Sequence, residues 1–105
     1  MLVEALAALA AVTPVGVAER EFSISLYRTR VRPGTVKLNI TNFGEDSHDL
    51  VVRRKGRVYG TSPEIRPGDR GVLKVKLRRK GTYTLVCTVA DHEQLGMKAK
   101  LRVAG

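Results

Sequence analysis

The segment from Thr82 to Val103 reads TYTLVCTVADHEQLGMKAKLRV. Its two ends alternate with a period of two. Tyr83, Leu85 and Cys87 fall on one face of the first end. Met97, Ala99, Leu101 and Val103 share one face of the second, with Lys98, Lys100 and Arg102 opposite. Successive side chains point to opposite faces of a strand, so each end reads as a strand with one buried and one solvated face. The tight loop between them carries a thiol at its start, an imidazole in its middle and a thioether at its end: Cys87, His92 and Met97.

The same alternation continues outward. Leu73, Val75 and Leu77 alternate with Lys74, Lys76 and Arg78, and Arg79-Lys80-Gly81 turns the chain. Further upstream, Val36, Leu38 and Ile40 share one face after the break at Arg32-Pro33-Gly34, and Phe22, Ile24 and Leu26 share one face before it. Turn-forming residues from Asn42 to Ser47 deliver the chain to His48, Leu50 and Val52, which share a face, so His48 is expected to point inward. The stretch from Arg53 through Gly60, Ser62-Pro63 and Pro67-Gly68-Asp69 reads as loop. About seven to eight short strands with glycine and proline turns and no internal helix predict an all-β, Greek-key β-sandwich.

At 105 residues the chain suits one domain. Ala5 to Ala18 is uncharged and alanine-rich, too short to span a membrane comfortably and close in length to the apolar part of a signal peptide. Gly16-Val17-Ala18 has the small-x-small form of a cleavage site, although no lysine or arginine precedes the run. Residues 1–18 are therefore expected to be a leader remnant or an N-terminal apolar segment, and 19–105 the folded domain. A processed leader implies an extracytoplasmic location, whether periplasmic, secreted or associated with the cell envelope, and the run offers a possible membrane association.

The single cysteine rules out an intrachain disulfide, leaving Cys87 free for other chemistry. With His48 brought in by its inward parity, His48, Cys87, His92 and Met97 offer two imidazoles, a thiolate and a thioether. Soft sulfur with borderline imidazole suits copper and does not suit magnesium or calcium. Zinc accepts cysteine and histidine too, but a thioether adds nothing for it. Singly, each residue is ordinary: a buried cysteine is a small hydrophobe and a methionine beside a strand fills core. Both histidines of the chain belong to the set, and the joint pattern is what is specific.

Ser47-His48-Asp49-Leu50, Gly81 to Cys87, His92 and Gly96-Met97 together resemble the cupredoxins, the blue-copper family, over roughly Glu21 to Val103. The resemblance implies a Greek-key sandwich with one type 1 copper held by His48, Cys87, His92 and Met97, electron transfer, and His92 as the ligand nearest the surface. Val89, Ala90, Leu95 and Gly96 would then form a docking patch. Asp49 stands where several family members have asparagine, and Asp91 where many have proline. A carboxylate close to the metal favours Cu(II) and lowers the potential.

Lysine and arginine number 19 against 10 acidic residues, so long-range steering of an acidic redox partner is one expectation. Nucleic acid is not expected as a partner, because two Phe, three Tyr and no Trp give few stacking platforms among the cations. A multicopper enzyme needs more histidines than these two, and a thiolate-bridged dinuclear centre needs a second cysteine. The expectation is a monomeric, non-enzymatic electron carrier; the alternative is a copper carrier or sensor.

Overall fold

The computed structural model describes residues 12–105. Nine strands run β1 Val12–Arg20, β2 Ser23–Leu26, β3 Arg30–Val31, β4 Gly34–Asn42, β5 Val51–Arg54, β6 Arg57–Thr61, β7 Arg70–Leu77, β8 Gly81–Val86 and β9 Lys98–Val103, with no helix among the described residues. They form a four-stranded sheet in the order β2-β1-β4-β7 and a five-stranded sheet in the order β3-β9-β8-β5-β6. The chain crosses repeatedly between the sheets, as a Greek-key sandwich requires.

The inward rows of the two sheets meet as the alternation predicts. Val36, Leu38 and Ile40 of β4, and Val75 and Leu77 of β7, face Leu50, Val52, Tyr83, Leu85, Leu101 and Val103, all buried. Fully burying a side chain of this size is worth about 1.5–3 kcal/mol, so this core carries most of the stability. Outward positions hold Lys74, Lys76, Lys100 and Arg102, all exposed. On β7, an edge strand, the lysines also deter pairing with another chain.

Two expectations need correction. Of the run Ala5 to Ala18, residues 12–18 belong to β1, which pairs in parallel with β4 from Val12↔Thr35 to Glu19↔Asn42 and buries Val15, Val17 and Ala18. The boundary expected after Ala18 therefore falls inside a central strand, and the cleavage-like Gly16-Val17-Ala18 is sheet. The remainder of the run, residues 5–11, lies outside the described residues.

The stretch beginning at Arg53, expected to be loop, is largely a hairpin of β5 and β6. Its turn is Lys55-Gly56, with φ of 50° and 76°. Two successive positive φ values are the backbone of the tight hairpin turn whose twist matches that of its strands, and glycine adopts this conformation at no steric cost. The all-β sandwich is as expected, with nine strands among the described residues beside the expected seven to eight, β1, β6 and the two-residue β3 being the ones without a clear alternating signature.

Candidate metal centre

One end of the sandwich gathers the chemistry-bearing side chains. Cys87 follows directly on β8, Met97 directly precedes β9, and the loop between them is closed on itself. The Cys87 N–H donates to the Met97 carbonyl (3.2 Å), the Met97 N–H to the His92 carbonyl (3.1 Å), and the His92 N–H to the Val89 carbonyl (3.0 Å). His48 is fixed before β5 by a bridge to Ile65, with reciprocal N–H···O=C bonds of 3.0 and 2.7 Å. Asn42, buried at the end of β4, shapes the connecting loop. Its amide donates to the carbonyls of Asp46 (2.8 Å) and Ile65 (2.9 Å), and its oxygen accepts from the Gly44 N–H (2.8 Å).

His48 Nδ1, His92 Nδ1 and Cys87 Sγ converge. The two nitrogens are 3.2 Å apart, and the sulfur is 3.7 Å from His48 Nδ1 and 3.5 Å from His92 Nδ1. The centre of a triangle with those sides lies about 2 Å from each corner, close to the roughly 2.0–2.1 Å of an imidazole–metal bond and a little inside the roughly 2.3 Å of a thiolate–metal bond, with zinc as the yardstick. Met97 is fully buried in the same core cluster as Cys87, and its backbone bonds to those of Cys87 and His92. The inward parity expected for His48, Cys87 and Met97 is therefore observed, and His92 joins them from the loop.

The protons argue the same way. His48 Nε2 lies 2.6 Å from Glu21 Oε2, and His92 Nε2 faces Asp46 Oδ2 at 3.5 Å. With its proton on Nε2, His48 presents a bare Nδ1 to the 3.2 Å contact with His92 Nδ1, and a single proton between the two rings leaves the sulfur unserved. A cation at the centre satisfies all three donors at once. Burial pushes the Cys87 thiol up to about 11, so without a metal it is protonated at neutral pH and is a poor nucleophile. Two imidazoles, one thiol and an adjacent thioether fit a single copper ion.

Three carboxylates surround this centre, of which Glu21 carries no functional signal in the sequence and Asp49 is the one already expected to tune the metal. Glu21, between β1 and β2, accepts from the Glu45 N–H and from His48. Its carboxyl is held below the usual range, chiefly by the Glu45 amide; burial opposes this and the His48 bond adds to it. Asp49 accepts from both the N–H and the hydroxyl of Thr88, beside Cys87. Glu19 is fully buried and neither carboxyl oxygen has a hydrogen-bond partner among the described residues. Burial, then the charge of Asp49, raises its pKa to about 8. A signal for Glu19 does exist, since it continues the inward row of Val15 and Val17, but that row falls in the segment expected to be leader.

His92 is only 5 % exposed, more than His48 but far from open. Phe22 covers it, with ring centroids 5.0 Å apart. Phe22, Phe43 and Leu95 are exposed apolar side chains of the loops at this end, at 37, 54 and 50 %. Of these only Leu95 belongs to the expected patch. The charges that contact the histidines are acidic, Glu21 at His48 and Asp46 at His92, while Glu93 is paired with Arg53 and Arg20 lies over the Phe43 ring.

No protein-family model and no curated relative matches the sequence. Solved structures do match in fold. A dithionite-reduced auracyanin from the photosynthetic bacterium Roseiflexus castenholzii superposes with a TM-score of 0.75 at 17 % identity, covering 91 % of this chain and 98 % of its own. Auracyanin A of Chloroflexus aurantiacus, described as a blue copper protein, gives 0.74 at 17 % identity, covering 90 % of this chain and all of its own. Auracyanin B gives 0.72 at 19 % identity over 91 and 90 % of the two chains.

Proposed function

We propose that this chain is a blue copper protein of the cupredoxin family that carries single electrons between redox proteins. The observation that carries the reading is the convergence of His48 Nδ1, His92 Nδ1 and Cys87 Sγ on a point about 2 Å from each, at the end of a sandwich with the auracyanin fold. His48, Cys87 and His92 would hold the ion, with Met97 adding a weak thioether contact. Copper in this setting supplies one-electron chemistry between Cu(I) and Cu(II).

The protein's part is to hold the donors still and dry. His48, Cys87 and Met97 have no solvent exposure, and each is pinned by backbone bonds at a strand end. Donors fixed in this way cannot rearrange much between oxidation states, which keeps the barrier to electron transfer low. His92 is the more exposed of the two imidazoles and serves as the exit, with Phe22 over its ring and Leu95 nearby as part of the docking surface. The expected steering of an acidic partner would act from the lysine-bearing outer strand faces rather than from the carboxylates that contact the two histidines. We read the protein as a monomer.

Both histidines of the chain are in this one site, leaving none for the further copper centres of an oxidase. The test is to load the protein with one copper, cycle it with a one-electron reductant and oxidant, and measure both the electron-exchange rate and copper loss to a chelator. Rapid reversible cycling with retained copper is expected. Sluggish cycling with ready copper release would replace the electron carrier by a copper carrier.

A further inference from the structure

We infer that Glu21 is a positioning residue for His48: it fixes which nitrogen of that imidazole faces the metal and biases the site toward the oxidised ion. This rests on the copper reading above, yet its first half is a property of the metal-free protein.

A neutral imidazole has one N–H and one bare nitrogen, and an ionised carboxylate can only accept. The 2.6 Å contact between His48 Nε2 and Glu21 Oε2 therefore places the proton on Nε2 and leaves Nδ1 bare. Nδ1 is the atom turned toward His92 Nδ1 and Cys87 Sγ. The carboxylate is itself held in place. Its Oε1 accepts from the Glu45 N–H, and it lies over Gly44, where a Cβ would collide with Oε2 and sit 2.8 Å from Cδ. Glycine at 44 and a free amide at 45 thus make a seat for this carboxylate. The seat joins the β1–β2 connection of one sheet to a ligand that leads into the other.

A carboxylate on the outer nitrogen makes the imidazole a more basic ligand and adds a negative charge that favours the more highly charged metal state. The hydrogen bond and the charge are separable. Glu21→Gln retains an oxygen that accepts from Nε2–H and loses the charge, whereas Glu21→Ala loses both.

The test starts on metal-free protein, with the histidine tautomers read from nitrogen-15 couplings by NMR. Wild type and Glu21→Gln are expected to show His48 protonated on Nε2, and Glu21→Ala a mixture of tautomers. In copper titrations, Glu21→Ala is expected to weaken affinity by about 10–100-fold, the usual cost of losing such a partner. Glu21→Gln is expected to keep Cu(I) affinity and lose about tenfold for Cu(II), raising the potential by about 59 mV. A wild-type His48 protonated on Nδ1, or a potential that neither variant moves, would overturn the assignment. A protein that fixes the Nε2–H tautomer but takes up no copper would contradict the proposed function while leaving the tautomer assignment standing.

Discussion

Replacing Glu19 by glutamine should remove most of the loss of stability that the protein suffers between pH 5 and pH 9. Glu19 follows Val15 and Val17 on the inward face of β1, opposite Asn42 of β4, with no exposure and no partner for either oxygen among the described residues. Desolvation disfavours its charged form, and the charge of Asp49 adds to this, so its pKa rises from 4.5 to about 8. Between those values the folded chain holds a proton that the unfolded chain releases. The stabilising effect is complete below about pH 4.5 and is lost as the pH rises through about 8. At about 1.36 kcal/mol per pH unit the interval corresponds to roughly 4–5 kcal/mol. The assay is urea unfolding of the metal-free protein, followed by tyrosine fluorescence from pH 5 to 9, for wild type and Glu19→Gln. Other titrating groups act on both proteins alike, so the difference between the two profiles isolates Glu19. Parallel profiles would refute the reasoning, whatever the absolute stability of the variant.

Three further changes test the surroundings of the site. Gly44→Ala puts a methyl group onto the Glu21 carboxylate and should lower copper affinity in the same sense as Glu21→Ala; competition with a chelator of known affinity reads this, and unchanged affinity would count against the seat. Asp49→Asn removes a carboxylate charge fixed by Thr88 beside both His48 and Cys87, so the reduction potential should rise, and a titration showing no upward shift would contradict that. Tyr83→Phe deletes a 2.7 Å hydrogen bond from the buried ring to the Arg79 carbonyl, which ties β8 to its preceding turn. That should cost about 1 kcal/mol in denaturant unfolding and leave the copper spectrum unaltered.

The parts of the fold that are legible in the sequence are those where one face is buried and the other is charged. Leu73, Val75 and Leu77 against Lys74 and Lys76 leave no doubt about period, and the shared parity of Tyr83, Leu85 and Cys87 is enough to place the thiol inward. Where both faces are covered or both are wet, alternation disappears. On β1 the outer face is covered too, with the Tyr27 ring over Gly16 and Ala18 buried together with Val17 and Glu19, so the strand reads as a continuous apolar run. β6 is an edge strand whose Arg57 and Val58 are both exposed, so its hairpin has the sequence pattern of a loop. Its only local signal is Lys55-Gly56, a weaker turn pair than Asn-Gly. The four candidate ligands are visible because their chemistry is rare and their parity consistent. Glu21, Asp46 and Phe22 are not, because each is an ordinary residue next to a turn, and only the fold brings it to an imidazole.

The most direct test of the central claim is to titrate Cu(II) into the metal-free protein and record its visible absorption, with Cys87→Ser beside it. An intense thiolate-to-copper band that saturates at one equivalent and is absent from the variant is the predicted result. A colourless protein, or a band indifferent to the loss of Cys87, would contradict it.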